Sequence, residues 1–161
     1  MSSIATVHVL PVDRLPELRA AIALKKRLFR APLDMYSAVL SDLGRELPAF
    51  PLSGYVLAVA LPFLDEQQVP LMTAPAFDDL ARAIQDARGT TAFFLTSEHR
   101  DRYLARLQPG TFDSTRLRTY YEDFNACQEP EAGQWMLAAI DYLVSTLRAI
   151  QPGEVALLQV Q

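Results

Sequence analysis

Apolar and polar positions alternate through residues 4–12, "IATVHVLPV", with the two-residue period of a strand, closed by Pro11 and Asp13. Leu15, Leu18, Ile22 and Phe29 then recur at helical spacing. Pro16 suits a first helical turn, and Lys25, Lys26 and Arg27 fall where a helix dipole favours cations. A second helix is expected from Pro32 or Leu33, with Tyr36, Leu40 and Leu43 on one face and Gly44 as a left-handed terminator. "ELPAFPLSG" is a proline-punctuated loop in which Ser53 can cap the next segment, "GYVLAVALPFLDEQQ". That segment reads as a buried helix disturbed at Pro62, because proline in a central strand would remove a ladder donor.

After the loop "VPLMTAP", the segment "AFDDLARAIQDAR" places Phe77, Leu80 and Ile84 inward on a helix that stops at Gly89. "TTAFFLT", residues 90–96, is apolar on both faces and reads as a central strand. A helix capped by Thr96 or Ser97 follows it directly. Asp113 or Ser114 caps a further helix with Leu117, Tyr121 and Phe124 in the core and Tyr120 at its rim. From Pro130 and Glu131 a stripe of Met136, Ile140, Leu143, Leu147 and Ile150 marks a long core-facing helix, before "QPGE" turns the chain into the strand "VALLQV". Strands and helices do not alternate strictly, so the fold class is α+β. The expectation is an α-rich single domain, residues 1–161, with helices packed on a small mixed β-sheet that includes the N- and C-terminal strands.

Charge narrows the partners. A formal net charge of −4 opposes any partner held mainly through phosphates, such as DNA, RNA or an anionic membrane surface, and suits a basic protein surface. The longest apolar run, Tyr55 to Leu64, is about half of the roughly 20 residues that span a bilayer. "MSSIATVHVL" lacks the cationic start and long apolar core of a secretory signal, so no membrane partner is expected. One cysteine, Cys127, excludes an internal disulfide, and with only His8 and His99 beside it the chain lacks the ligand set of a structural zinc site. No cofactor is expected, and a reducing cytoplasm fits.

"FFLTSEHRDRYLARL", residues 93–107, holds Ser97, His99 and Asp101, the three residue types of a hydrolytic triad. On a helix, residues two apart point about 200° from each other, so His99 faces away from both supposed partners. No glycines flank the serine as a nucleophile elbow requires. Cys127 has no local motif that pairs it with a histidine, and a lone cysteine after an aromatic helix reads as a small buried residue. The acid pairs Asp65-Glu66, Asp78-Asp79 and Glu122-Asp123 diverge by about 100° on a helix and read as solvated. With six glycines in all, the chain shows neither a dinucleotide turn nor a Walker-type loop. "RLRTYYEDF", residues 116–124, interleaves arginine with aromatics, but Glu122 and Asp123 follow at once and oppose a nucleic-acid role.

The strand-to-helix segment at 93–107 and the ending "QWMLAAIDYLVSTLRAIQPGEVALLQV" resemble the YfbM-like family of small bacterial proteins of unknown function. The resemblance covers roughly residues 90–160 and carries no catalytic residues with it. In size and acidity such proteins are similar to immunity proteins that neutralise bacterial toxins. The expected function is therefore non-enzymatic: binding a protein partner, a basic toxin, through Asp65, Glu66, Tyr120, Glu122 and Asp123. The alternatives are a small hydrolase or transferase with a site assembled around His99 and Glu98, and an oligomeric structural or regulatory module using the last helix.

Overall fold

The computed structural model describes residues 3–23, 25–27 and 30–161, with backbone alone described for 25–27 and 30–33. Strand β1 (Ala5–Pro11) passes through a single 3-10 turn into helix α1 (Leu15–Ala21), which buries Leu15, Leu18 and Ala21. The helix ends before the basic cluster. Lys25–Arg27 forms β2, paired antiparallel with β3 (Arg30–Leu33), so the expected helical end is a hairpin, and Phe29 lies outside the described residues. A two-stranded ribbon has open edges, where a strand proline such as Pro32 is tolerated.

Helix α2 (Tyr36–Leu43) buries Tyr36, Leu40 and Leu43 and ends at Gly44. That glycine is extended (φ −113°), not left-handed; a Cβ there would sit 2.7 Å from Leu10 and 3.0 Å from the Leu40 carbonyl, so close approach to β1 requires its bareness. A two-residue strand, β4 (Arg45–Glu46), follows within the segment expected to be loop. Helix α3 (Gly54–Glu66) starts at Ser53, whose hydroxyl accepts from the Tyr55 N–H, and continues through Pro62. Helix α4 (Asp78–Arg88) leads into β5 (Thr91–Thr96), and α5 (Ser97–Tyr103) follows without a linker. Then come α6 (Ser114–Asn125), α7 (Ala132–Ala149) and β6 (Glu154–Val160). The α6–α7 crossing is close because Gly133 faces the Ser114 carbonyl, where a Cβ would lie only 2.2 Å from the oxygen.

The fold is α+β, with seven α-helices among the described residues packed on a four-stranded sheet that contains both terminal strands. Strand order is β4–β1–β6–β5, and every pair is antiparallel, so the sheet is not mixed. β5 is an edge strand and not a central one. Its apolar character on both faces comes from cover on both sides: Ala92 and Phe94 pack in one hydrophobic cluster and Leu95 in the other. Double burial therefore marks a strand between two helical layers, wherever it stands in the sheet.

Those layers differ. On one face Ala5, Val7, Val9, Ala156, Leu158 and Val160 pack against α3 and α7 in a continuous apolar core. On the other, Leu10, Phe94, Val155 and Leu157 pack against α1, α2 and α4, but only over part of the face. Among the described residues no helix is long and apolar enough to cross a membrane.

Candidate functional site

The expected contact residues divide between two places. Glu66 closes α3 and Tyr120 lies on α6, and packing of these helices brings them together: the Tyr120 hydroxyl donates to Glu66 Oε1 at 3.2 Å. Partial burial, with the Glu66 charge second, holds the Tyr120 phenol above its ordinary pKa, so it stays protonated as this donor. With Phe63, Arg116 and Asp123 the pair lines a shallow groove of about 310 Å³. Phe63 meets the Tyr120 ring edge-on at 5.0 Å, and Arg116 sits over Phe63 while donating to the Gln67 side chain at 2.8 Å. Asp65 is exposed but does not line the groove. Glu122 turns to the α6–α7 connection, where it accepts the Glu129 N–H at 2.9 Å and stands 4.0 Å from Arg118.

The aromatic content of this surface exceeds what the sequence pattern implies. Phe124, expected in the core, retains 52% of its exposure and stacks on Tyr120 at 6.1 Å. Tyr121 and Leu117, one and two turns earlier, fill the space against α7, with Tyr121 edge-on to Trp135; Phe124 falls beyond that contact, one residue before α6 ends. Tyr55, at the start of α3, is 42% exposed and donates its hydroxyl to the Asn125 side chain. Exposed aromatics on both helices were not legible because helical periodicity says which positions share a face, not where that face runs out of neighbours.

Cys127 is exposed, contrary to the expectation of a buried residue. Ala126 takes the left-handed conformation (φ 49°) that ends α6, and the cysteine follows outside the helix.

His99 is buried, and its ring is fully used. The Thr96 N–H donates to Nδ1 at 3.2 Å while the Thr96 hydroxyl accepts from the His99 N–H, a capping box at the β5–α5 junction. With Nδ1 accepting, the ring proton resides on Nε2, which donates to the Thr73 carbonyl at 2.9 Å. Burial depresses its pKa, against the raising effect of the Thr73 bond and of Glu98, so the neutral ring is favoured. Neither nitrogen reaches Ser97 or Asp101, and Asp101 instead pairs with Arg100 at 2.8 Å. A cleft of about 440 Å³ lies beside the ring, with Glu98 on its wall held by Arg102 at 3.1 Å.

Three further residues stand out. His8, Tyr36 and Thr90 are buried on the partly filled face of the sheet, each with a polar side-chain atom that finds no protein partner. The available signal was polar residues interrupting apolar strands, His8 within "VHVL" and Gln159 within "LLQV". Among the described residues no three His, Cys, Asp or Glu side chains converge to hold a metal ion. In comparisons with known proteins, no family model, no curated protein and no solved structure matches the chain.

Proposed function

We propose that this chain is a cytoplasmic protein-binding protein that engages a basic partner through the α3–α6 surface, in the manner of an immunity protein that occludes a toxin. The observation that carries this reading is the exposed Phe124 ring stacked on a half-buried Tyr120, with Glu66 and Asp123 lining the groove beside Tyr120 and the exposed Tyr55 joined to Asn125 on the same pair of helices. Partly exposed aromatics are efficient interface anchors because they supply contact area at small conformational cost. Adjacent acids steer association with a basic partner and make its rate fall with salt. The enzymatic alternative around His99 and Glu98 has a cleft, but both ring nitrogens already serve the fold, so catalysis there requires breaking the Thr96 or Thr73 bond.

The test is protection against, and direct binding to, the product of the neighbouring gene. Wild type binds and protects. Replacing Phe124 and Tyr55 by Ser costs about 1 kcal/mol of folding stability per site, leaves the fold intact, yet removes protection. A variant that binds and protects as wild type does overturns the assignment of the surface, and a wild type that does neither overturns the function.

A further inference from the structure

The second face of the sheet is apolar at one end and polar at the other. Cross-strand register sets Leu10 beside Val155, where both pack under α1 and α2, and sets Thr6 beside Gln159 on the same face, two register rows further on. His8, opposite Leu157 on β6 and Glu46 on β4, marks the change. Beyond it the face does not close against α2, and a cavity of about 340 Å³ remains.

Four side chains in its wall are almost wholly removed from solvent: His8, Tyr36, Thr90 and Gln159 keep 7%, 4%, 9% and 3% of their exposure. Among the described residues four buried side-chain polar atoms lack a hydrogen-bond partner in the protein. Three of them, His8 Nδ1, the Tyr36 hydroxyl and the Thr90 hydroxyl, are on residues that line this one cavity. The Gln159 amide lies near the Tyr36 hydroxyl without meeting it at hydrogen-bond geometry. Buried polar groups are ordinarily satisfied, so three orphans on residues that line one space point to a hydrogen-bonding occupant.

The wall also defines what kind. An apolar occupant would leave all three atoms unsatisfied. An anion would need a free cation, but the Arg88 guanidinium stacks over the Tyr36 ring at 4.9 Å and bridges Asp34 at 2.6 Å. A cation would need several carboxylates, and among the described residues Glu46 is the only acid in the wall. The rest is neutral: burial favours the uncharged imidazole of His8, and pushes the Tyr36 phenol up to about 12, so both act as uncharged hydrogen-bonding groups. Hydroxyls of Thr6, Ser37 and Ser41 add further paired donor and acceptor capacity. The volume lies near the lower end of the roughly 300–1,000 Å³ range of small-molecule sites.

We propose that this cavity binds a neutral polyhydroxylated molecule of monosaccharide size, held inside by His8, Tyr36, Thr90 and Gln159 and at the rim by Glu46. A carboxylate accepts from vicinal hydroxyls, while the hydroxyl and amide groups inside both donate and accept, which matches a ligand whose every hydroxyl does the same. The site stands on the opposite face of the sheet from α3 and α7 and does not depend on the α3–α6 surface.

The test is titration of the ¹⁵N-labelled full chain with D-glucose, D-galactose, D-ribose and myo-inositol, each to about 20 mM, with inorganic phosphate as a charged control. Saturable shifts by at least one of the four, centred on Thr6, His8, Thr90 and Gln159, are expected. Thr90→Val and, separately, Tyr36→Phe, both close in shape to the native residue, weaken that binding about tenfold or more while leaving distant resonances in place. Three results would overturn the proposal: no saturable binding by any of the four, meaning that solvent alone fills the cavity; binding that both variants leave intact; or saturable binding of phosphate in their stead.

Discussion

On α6, Phe124 keeps an apolar ring in water; behind the sheet, His8, Tyr36 and Thr90 keep polar atoms out of it without a partner. These are opposite departures from what folding favours. The exposed ring forgoes burial but strains nothing, since isolated apolar side chains are common at surfaces. Each orphaned polar atom carries a desolvation penalty of about 1–3 kcal/mol. The first kind of departure suits contact with a large surface that would cover the ring, and the second suits the proposed small molecule, which would restore the hydrogen bonds.

The comparison can be broken most strongly within a single sheet face. Leu157→Ala, in the filled half, removes a fully buried side chain and is expected to cost about 2–5 kcal/mol in urea unfolding. A loss well under 1 kcal/mol would mean that the apolar half is as loosely packed as the cavity beside it.

The two histidines sharpen it through pH. Both have pKa values lowered by burial, so the folded state prefers the neutral ring, and the contribution of each is fully present above the unfolded value near 6.5. It is lost as pH falls from there toward the depressed folded values. Stability measured by urea unfolding should therefore decline between about pH 7 and pH 5, and His99→Gln should flatten part of that slope. A slope unchanged in His99→Gln would contradict the structural role of the Thr96–His99–Thr73 bonds.

The elements of the fold were legible wherever their cause is local. Ser53 caps α3, Gly89 ends α4 in the left-handed region (φ 66°), and the stripe from Met136 to Leu147 is buried along α7, all as their spacing implies. What escaped depends on distant pairing. β5 is an edge strand because β6 returns between it and β1, and two-sided burial cannot reveal that order. β4 has two residues and exists only through its pairing with β1. The candidate surface was half legible: Glu66 and Tyr120 meet, but Glu122 is drawn to Glu129 by the α6–α7 turn, and Phe124 is exposed because α7 offers it no neighbour. The cavity was the least legible, since it requires the register that sets Thr6 beside Gln159 and then the failure of α2 to close over them.

The central claim is that the polar end of the second sheet face does not serve the fold. The direct measurement is the urea unfolding free energy of the double variant Tyr36→Phe, Thr90→Val in the absence of added ligand. Removing two orphaned hydroxyls while keeping side-chain shape predicts a stability equal to or above that of wild type, by up to about 1 kcal/mol per site. A loss of more than about 1 kcal/mol would show that these hydroxyls hold the structure together and would contradict the account.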